Sequence, residues 1–295
     1  MIICKLVAVF SAASLSFGMI IVVLVVMNLR NMVAISFALI IMVACSKQSN
    51  TVVPDPPGGG TGNPPPVVVD SGNFTPQTIG VSFKKVNNPK GITDYVLQIP
   101  ASYNEKKNTT KWPVIIFLHG MGERGTDLNK VKNTALPAIA GKDKDFPYIL
   151  ISPQCKEETG NDWWNNANLD ALYADVMKTY NVDPSRIYLT GLSMGGYGAW
   201  TWAQGSPDKF AAVVPICGAG TPSNACVLKN KPIWVFHNAD DGTVNVSNSR
   251  DMVDALKKCG STMVKYTENP TGGHDSWTKA YKDPALFAWL SEQKK

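Results

Sequence analysis

Apolar residues are distributed unevenly along this chain. Residues 1–45 are almost wholly apolar, with Lys5 and Arg30 their only charges. Residues 6–29 are long enough to span a bilayer, which takes about 20 apolar residues, whereas the run at 32–44 is too short. Residues 46–72 then carry six Pro and five Gly in 27 positions and no apolar face, so they predict an extended linker and no core. From residue 73 onward, short apolar runs alternate with helical patterns. The runs at 79–86, 95–99, 114–118, 148–152, 187–190, 211–216, 233–236 and 263–266 predict strands. From Val114 on they are continuously apolar, as expected when both faces of a parallel sheet are covered. Between them Leu169, Leu172, Tyr173, Val176 and Met177 recur at helical spacing, as do Met252, Val253 and Leu256, and then Leu286, Trp289 and Leu290. Asp183-Pro184 predicts the end of a helix before the strand at 187. The alternation predicts an α/β fold of about eight strands, mostly parallel, over residues 73–295.

Composition narrows the class. The chain is 44% hydrophobic and 17% charged, which excludes a wholly disordered protein. Its formal net charge is +5, of which the N-terminal 45 residues supply two. The remaining weak, unclustered excess argues against nucleic acid as a partner. Six cysteines in 295 residues are too few for a disulfide scaffold. Cys226 and Cys259 both fall next to strand starts, so their pairing is plausible in an oxidising compartment, with connectivity left open.

The segment Met42-Val43-Ala44-Cys45-Ser46 resembles a bacterial lipobox, where the cysteine is diacylated and becomes the mature N-terminus. Arg30 and the run at 32–44 then form the n- and h-regions of a signal peptide beginning at Met27. Residues 1–26 would be an upstream extension. An uncleaved helical anchor is the alternative. The expectation is a domain tethered by lipid to a bacterial membrane and facing the periplasm or cell surface.

The sharpest chemical signal is Gly191-Leu192-Ser193-Met194-Gly195, directly after the strand at 187–190 and before a helical stretch. A G-x-S-x-G run in that context is a nucleophile elbow, a tight turn that lifts the serine Oγ clear of the sheet. A plain Gly-Ser loop is the bland alternative. Serine needs a base, and the chain has three histidines. His119 precedes the serine, within Leu118-His119-Gly120-Met121-Gly122, a turn of the type that supplies an oxyanion-hole amide. His237 ends a strand and points into the turn carrying Asp240 and Asp241. Only His274 follows both the serine and these acids, giving the chain order Ser, Asp, His of α/β hydrolases. A zinc site built from the three histidines is the rival, but the motif spacings for one are missing.

These residues resemble a known group, the α/β-hydrolase-fold esterases of the phospholipase/carboxylesterase and feruloyl-esterase-like kind. The resemblance rests on Leu118-His119-Gly120-Met121-Gly122-Glu123-Arg124-Gly125, on Ser152-Pro153-Gln154-Cys155, on the Ser193 elbow, and on Gly273-His274-Asp275-Ser276-Trp277. One departure follows His237, where the family's H-G-x-x-D-x-x-V pattern is His237-Asn238-Ala239-Asp240-Asp241-Gly242-Thr243-Val244. Counting from either end selects Asp241, with Asp240 the alternative. The resemblance implies Ser193 as nucleophile, His274 as base, Asp241 as its orienting acid, and the amides of Met121 and Met194 as an oxyanion hole, with no cofactor and no metal.

Trp163 and Trp164, in a polar loop after the strand at 148–152, suggest a stacking platform for an aromatic or sugar ester, such as an acyl group on a plant polysaccharide. One is expected to be platform and the other packing. Two further readings stand beside the esterase. One is a peptidase of the prolyl-oligopeptidase type. The other is a carbohydrate-binding lipoprotein on an inactive hydrolase fold.

Overall fold

The computed structural model describes residues 74–86, 93–105, 110–156 and 163–295. The chain divides into two units, Met1–Pro65 and Pro66–Lys295, and the described residues all belong to the second. Cys45, both N-terminal apolar runs and the expected linker at 46–72 lie outside the described residues. Among those described, no helix is long and apolar enough to cross a membrane.

The expected strands form one eight-stranded sheet. They are β1 (Gly80–Lys84), β2 (Tyr95–Ile99), β3 (Trp112–Leu118), β4 (Ile149–Pro153), β5 (Val182–Leu192), β6 (Ala212–Ile216), β7 (Ile233–Asn238) and β8 (Val264–Asn269). Their spatial order is β1-β2-β4-β3-β5-β6-β7-β8. β1 and β2 are antiparallel to their neighbours, and all pairings from β4 to β8 are parallel. The described helices are α1 (Leu128–Lys132), α2 (Ala135–Ala140), α3 (Asn166–Thr179), α4 (Met194–Gly205), α5 (Ser247–Lys258), α6 (Trp277–Lys282) and α7 (Pro284–Glu292).

The continuous apolar runs are explained by what covers them. In β3, Val114, Ile116 and Leu118 join one core with residues of α3, α4 and α5. Ile115 and Phe117, alternating with them, join a second core with α2, α6 and α7. Every one of these five side chains is fully buried. At roughly 1.5–3 kcal/mol for each large apolar side chain removed from water, β3 is among the strongest anchors of the fold. Helices α3 and α4 are also tied by polar contacts. Trp202 Nε1 donates to Asp170 Oδ1 at 2.7 Å, and the Asn165 side chain caps α3 by accepting from the amides of Ala167 and Asn168.

One boundary differs from expectation. β5 begins at Val182, so Asp183-Pro184 lies inside the strand and does not precede it. Val182 pairs with Trp112, and the register shifts between Trp112 and Val114. Such an irregularity tolerates a proline, which has no N–H to give to a ladder. The Asp183 carboxylate accepts from the Ser185 amide and hydroxyl and from Arg186 Nε. Cys226 and Cys259 form a disulfide that joins the 3₁₀ segment before β7 to the C-terminal end of α5. At the opposite edge of the sheet, the carboxyl ends of β3, β4, β5, β6, β7 and β8 deliver their loops to one place.

Candidate active site

Ser193 lies between β5 and α4 with φ 51° and ψ −120°, a left-handed conformation that is strained for any residue with a Cβ. The Ser193 amide donates to the Ile216 carbonyl at 3.0 Å, and the Ser193 carbonyl accepts from Tyr197 N in the first turn of α4. The turn closes only because neighbouring backbone passes very near. A side chain on Gly195 would run into the carbonyls of Leu118 and His119, and one on Gly191 into the Gly195 carbonyl. The spacing G-x-S-x-G thus records two backbone contacts as well as a flexible turn.

The structure brings His274 and Asp241 to this serine. His274 Nε2 is 2.9 Å from Ser193 Oγ, and His274 Nδ1 is 2.7 Å from Asp241 Oδ2. Asp241 Oδ1 accepts from the amides of Thr243 and Val244 at 2.8 and 2.9 Å. Burial alone would raise the Asp241 carboxyl. The hydrogen bonds from His274, Val244 and Thr243 outweigh it and hold the group below the usual carboxylate range. Asp240 is exposed and turns to a different task. Its carboxylate accepts from the amides of Gly272 and Gly273, at 3.2 and 2.8 Å, just before His274. Both glycines have positive φ, 142° and 58°, so the loop bends in a way a side chain would resist. Asn238 Nδ2 donates to the Gly273 carbonyl and Asn238 Oδ1 accepts from Asn269, completing the clamp.

Met121 opens a 3₁₀ turn and Met194 opens α4, so neither amide has an acceptor within its own helix. Gly120 brings the first of these turns beside the serine. A Cβ built on Gly120 would lie 3.7 Å from Ser193 Cβ. His119, next in this turn, is fully buried. Its Nε2 accepts from Cys155 N at 2.9 Å, which leaves the proton on Nδ1 to be donated to the Gly120 carbonyl at 2.6 Å. Burial pushes its pKa down to about 4, against the opposing pull of that carbonyl. His119 is therefore a neutral structural side chain.

The tryptophan pair divides. Trp164 is buried, packs edge-on to His119 with ring centroids 4.8 Å apart, and donates Nε1 to the His119 carbonyl. Its ring also lies against Gly198, where a Cβ would meet Trp164 Cδ1 at 2.6 Å. Of the two rings, one expected as platform and one as packing, Trp164 is the buried one, lying between the His119 turn and α4. Trp163 is 38% exposed and stands edge-on to Tyr197, with centroids 5.1 Å apart. Trp200 is fully buried in α4 packing.

Two features were missed from sequence. One is the Asp240 clamp. The other is the bond between His237, which the sequence places at this turn, and Asp241, with Nε2 3.2 Å from Asp241 Oδ2. Their spacing of four residues was the available signal. Cys217, Asp241 and His274 offer three potential ligand atoms within 4.8 Å of one another. Burial raises the Cys217 thiol to about 12, so it keeps its proton, and the other two groups are bonded to each other. That is poor chemistry for a metal.

The Esterase family model matches residues 90–271, more than half of the chain and a span that includes Ser193 and Asp241. The chain belongs to the Esterase family. A crystal structure of a thermostable esterase is 34% identical, with a TM-score of 0.61, covering 73% of this chain and 63% of that one. The fold of this esterase chain is that of the α/β hydrolases. Feruloyl esterase B of Talaromyces funiculosus is 23% identical over 230 residues, 72% of this chain. The bifunctional acetylxylan esterase/xylanase of Neocallimastix patriciarum is 24% identical over 180 residues, 56% of this chain. The chain spans 57% of the first and 26% of the second of these relatives.

The buried histidines predict acid sensitivity. His119 is neutral in the fold to about pH 4, whereas an unfolded histidine takes a proton near pH 6.5. Between those values the unfolded chain binds more protons, so stability falls as pH drops through the window, by up to about 3 kcal/mol. His237, also lowered by burial, adds in the same direction. Thermal melts from pH 7 to pH 4 should show a steadily falling Tm, with a shallower slope in His119→Gln. A flat profile would contradict the neutral assignment.

Proposed function

We propose that the protein hydrolyses carboxylic esters through Ser193, His274 and Asp241. The observation that carries this reading is the unbroken hydrogen-bonded line Ser193 Oγ–His274 Nε2 and His274 Nδ1–Asp241 Oδ2, at 2.9 and 2.7 Å. Ser193 Oγ attacks the acyl carbonyl while His274 Nε2 takes its proton. Asp241 keeps the Nδ1 proton in place and stabilises the imidazolium. The amides of Met121 and Met194 stabilise the oxyanion, each donor worth roughly 3 kcal/mol in comparable chemistry. The tetrahedral species collapses, the C–O bond to the alcohol breaks, and His274 returns the proton to the leaving oxygen. Water, deprotonated by His274, then releases the acid and restores Ser193.

The substrate proposed is an ester of an aromatic acid or of a sugar, such as a feruloyl or acetyl group on a plant polysaccharide. Two observations support it. The relatives named above are feruloyl and acetylxylan esterases. Trp163, 38% exposed, stands edge-on to Tyr197, and Tyr197 lies one helical turn beyond Ser193 in α4. Membership of the Esterase family favours ester cleavage over the peptidase reading. An intact Ser–His–Asp set disfavours a purely binding role. We propose further that Cys45 carries lipid, on the strength of the lipobox and the linker behind it. Mass spectrometry of the mature N-terminus should find an acylated Cys45, and an unacylated N-terminus at Met1 would overturn this.

Ser193→Ala should fold normally and lose turnover of p-nitrophenyl acetate by several orders of magnitude. A fluorophosphonate should label Ser193 in the unaltered protein, and labelling elsewhere would overturn the assignment. Asp241→Asn should reduce turnover by about 10³–10⁴ through loss of the imidazole's orientation. Asp240→Asn should cost far less, since it loosens the His274 loop without removing the carboxylate that His274 needs.

The tryptophans give opposite expectations. Trp163→Ala should raise KM for feruloylated sugars several-fold, the equivalent of about 1 kcal/mol of lost ring contact, and leave Tm and acetyl ester turnover nearly unchanged. Trp164→Ala should lower stability by about 3–5 kcal/mol and depress all substrates together. If Trp163→Ala leaves the ranking of substrates unchanged, the aromatic or sugar ester proposal loses its structural support.

A further inference from the structure

We propose that His237 is a positioning residue of the site, holding the Asp241 carboxylate through a second hydrogen bond on the same oxygen that faces His274. The inference rests on the triad reading above. His237 is the penultimate residue of β7 and is fully buried. Its Nε2 lies 3.0 Å from the Val244 carbonyl and 3.2 Å from Asp241 Oδ2. Both are acceptors, so Nε2 carries the proton and shares it between them. Its Nδ1 lies 2.7 Å from Ser249 Oγ on α5 and therefore accepts the Ser249 hydroxyl proton.

This fixes the direction of a chain of hydrogen bonds. Ser249 donates to His237, His237 donates to Asp241, and Asp241 receives His274 on the same oxygen, Oδ2. With the Thr243 and Val244 amides on Oδ1, the carboxylate has four donors and one rotamer that satisfies them all. If His237 took the other tautomer, its Nε2 lone pair would face two acceptor oxygens. The two acceptor oxygens thus select the tautomer, and the Ser249 hydroxyl completes it by donating to the Nδ1 lone pair that the selection leaves. Burial lowers the pKa of His237, against the pull of the Val244 carbonyl and of Asp241, so it stays neutral and acts by hydrogen bonding.

The charged and titratable groups around the pair come from each neighbouring element. Asp240 and Asp241 lie after β7, and Cys217 after β6. Glu268 on β8, opposite His237 in register, is held by Arg250 of α5. Asp275 follows His274. Of these groups, Asp241 alone has a hydrogen bond to both histidines among the described residues. A donor on Oδ2 withdraws charge that His274 would otherwise feel. Removing it leaves the carboxylate more strongly negative, which favours the imidazolium formed in the reaction and moves the acid limb of the rate profile to higher pH.

The test is the pH dependence of kcat/KM for p-nitrophenyl acetate in the full chain, with Tm measured alongside. His237→Leu should lower kcat about tenfold, the rate equivalent of one hydrogen bond to a charged group, with KM unchanged. Its acid limb should move to higher pH by about half a unit. Ser249→Ala should move the limb in the same direction by less, and it carries the test alone if His237→Leu does not fold. His237→Gln, which keeps an N–H near the Nε2 position, should restore the unaltered profile. An acid limb that stays in place in Ser249→Ala and in any folded His237→Leu, while Tm falls, would reduce His237 to a core residue and overturn the proposal. Retained turnover in Ser193→Ala or Asp241→Asn would instead overturn the triad reading beneath it.

Discussion

The arrangement depends on one steric constraint, the close passage of three strands' backbone at the turn after β5. Leu118 and His119 leave β3 against Gly195, Ile216 leaves β6 with its carbonyl on the Ser193 amide, and Ser193 is held between them at positive φ. No side chain fits at Gly191 or Gly195, so the strands approach to backbone contact and the serine has nowhere to relax. The strain is sustained by buried neighbours. Leu118, Leu189 and Met194 belong to one core and Leu192 and Ile216 to the other, so easing the turn would disturb both layers of packing. What packing stabilises on the faces of the sheet, the elbow uses at its edge.

Much of this was legible in sequence because it is local or periodic. Apolar runs marked each strand of the sheet, and those of β3 to β7 are continuous because side chains on both faces meet helices. The elbow was legible because two glycines at fixed offsets from a serine report backbone contact. The choice of Asp241 as the residue facing His274 agrees with the spacing to His237 and Val244, because the Thr243 and Val244 amides must wrap the same carboxylate. What was not legible depended on side chains meeting across long separations. Nothing in Trp163-Trp164 says which ring turns inward. That is decided by the His119 carbonyl and by the space left at Gly198, both far along the chain. The start of β5 at Val182 was missed for a similar reason. Pro184 ordinarily argues against a strand, and only the register shift opposite Trp112 makes room for it.

The three histidines show how one residue type is made to do different work. His119 and His237 are both buried, both held neutral by that burial, and both locked in one tautomer: His119 by the Cys155 amide that donates to its Nε2, and His237 by the Val244 carbonyl and Asp241 carboxylate that face its Nε2. Each then donates its one proton to a group at the site. His119 gives it to the carbonyl of Gly120, in the turn that ends at Met121, and His237 to the acid that faces His274. His274 alone keeps a partly open ring, 23% exposed, on a loop whose two glycines are pinned by Asp240. A proton carrier must change its charge during the proposed reaction, which requires access to water or substrate. A positioning imidazole must never change its charge, which burial secures.

The same logic accounts for the two adjacent aspartates. A carboxylate that steadies an imidazolium needs to remain charged away from water, and that is tolerable only when donors saturate it. Asp241 meets the condition with two amides and two imidazole N–H groups and has no exposed side-chain surface. Asp240, one residue earlier, points outward, where charge is inexpensive in water, and spends its acceptors on the amides that shape the His274 loop. Successive residues of a tight turn after a strand project in different directions, so two neighbouring acids can serve one histidine, the first by fixing its loop and the second by facing its ring. The turn after β7 is therefore as much a part of the site as the elbow after β5. Its sequence is less recognisable only because its constraints are met by side chains rather than by the absence of them.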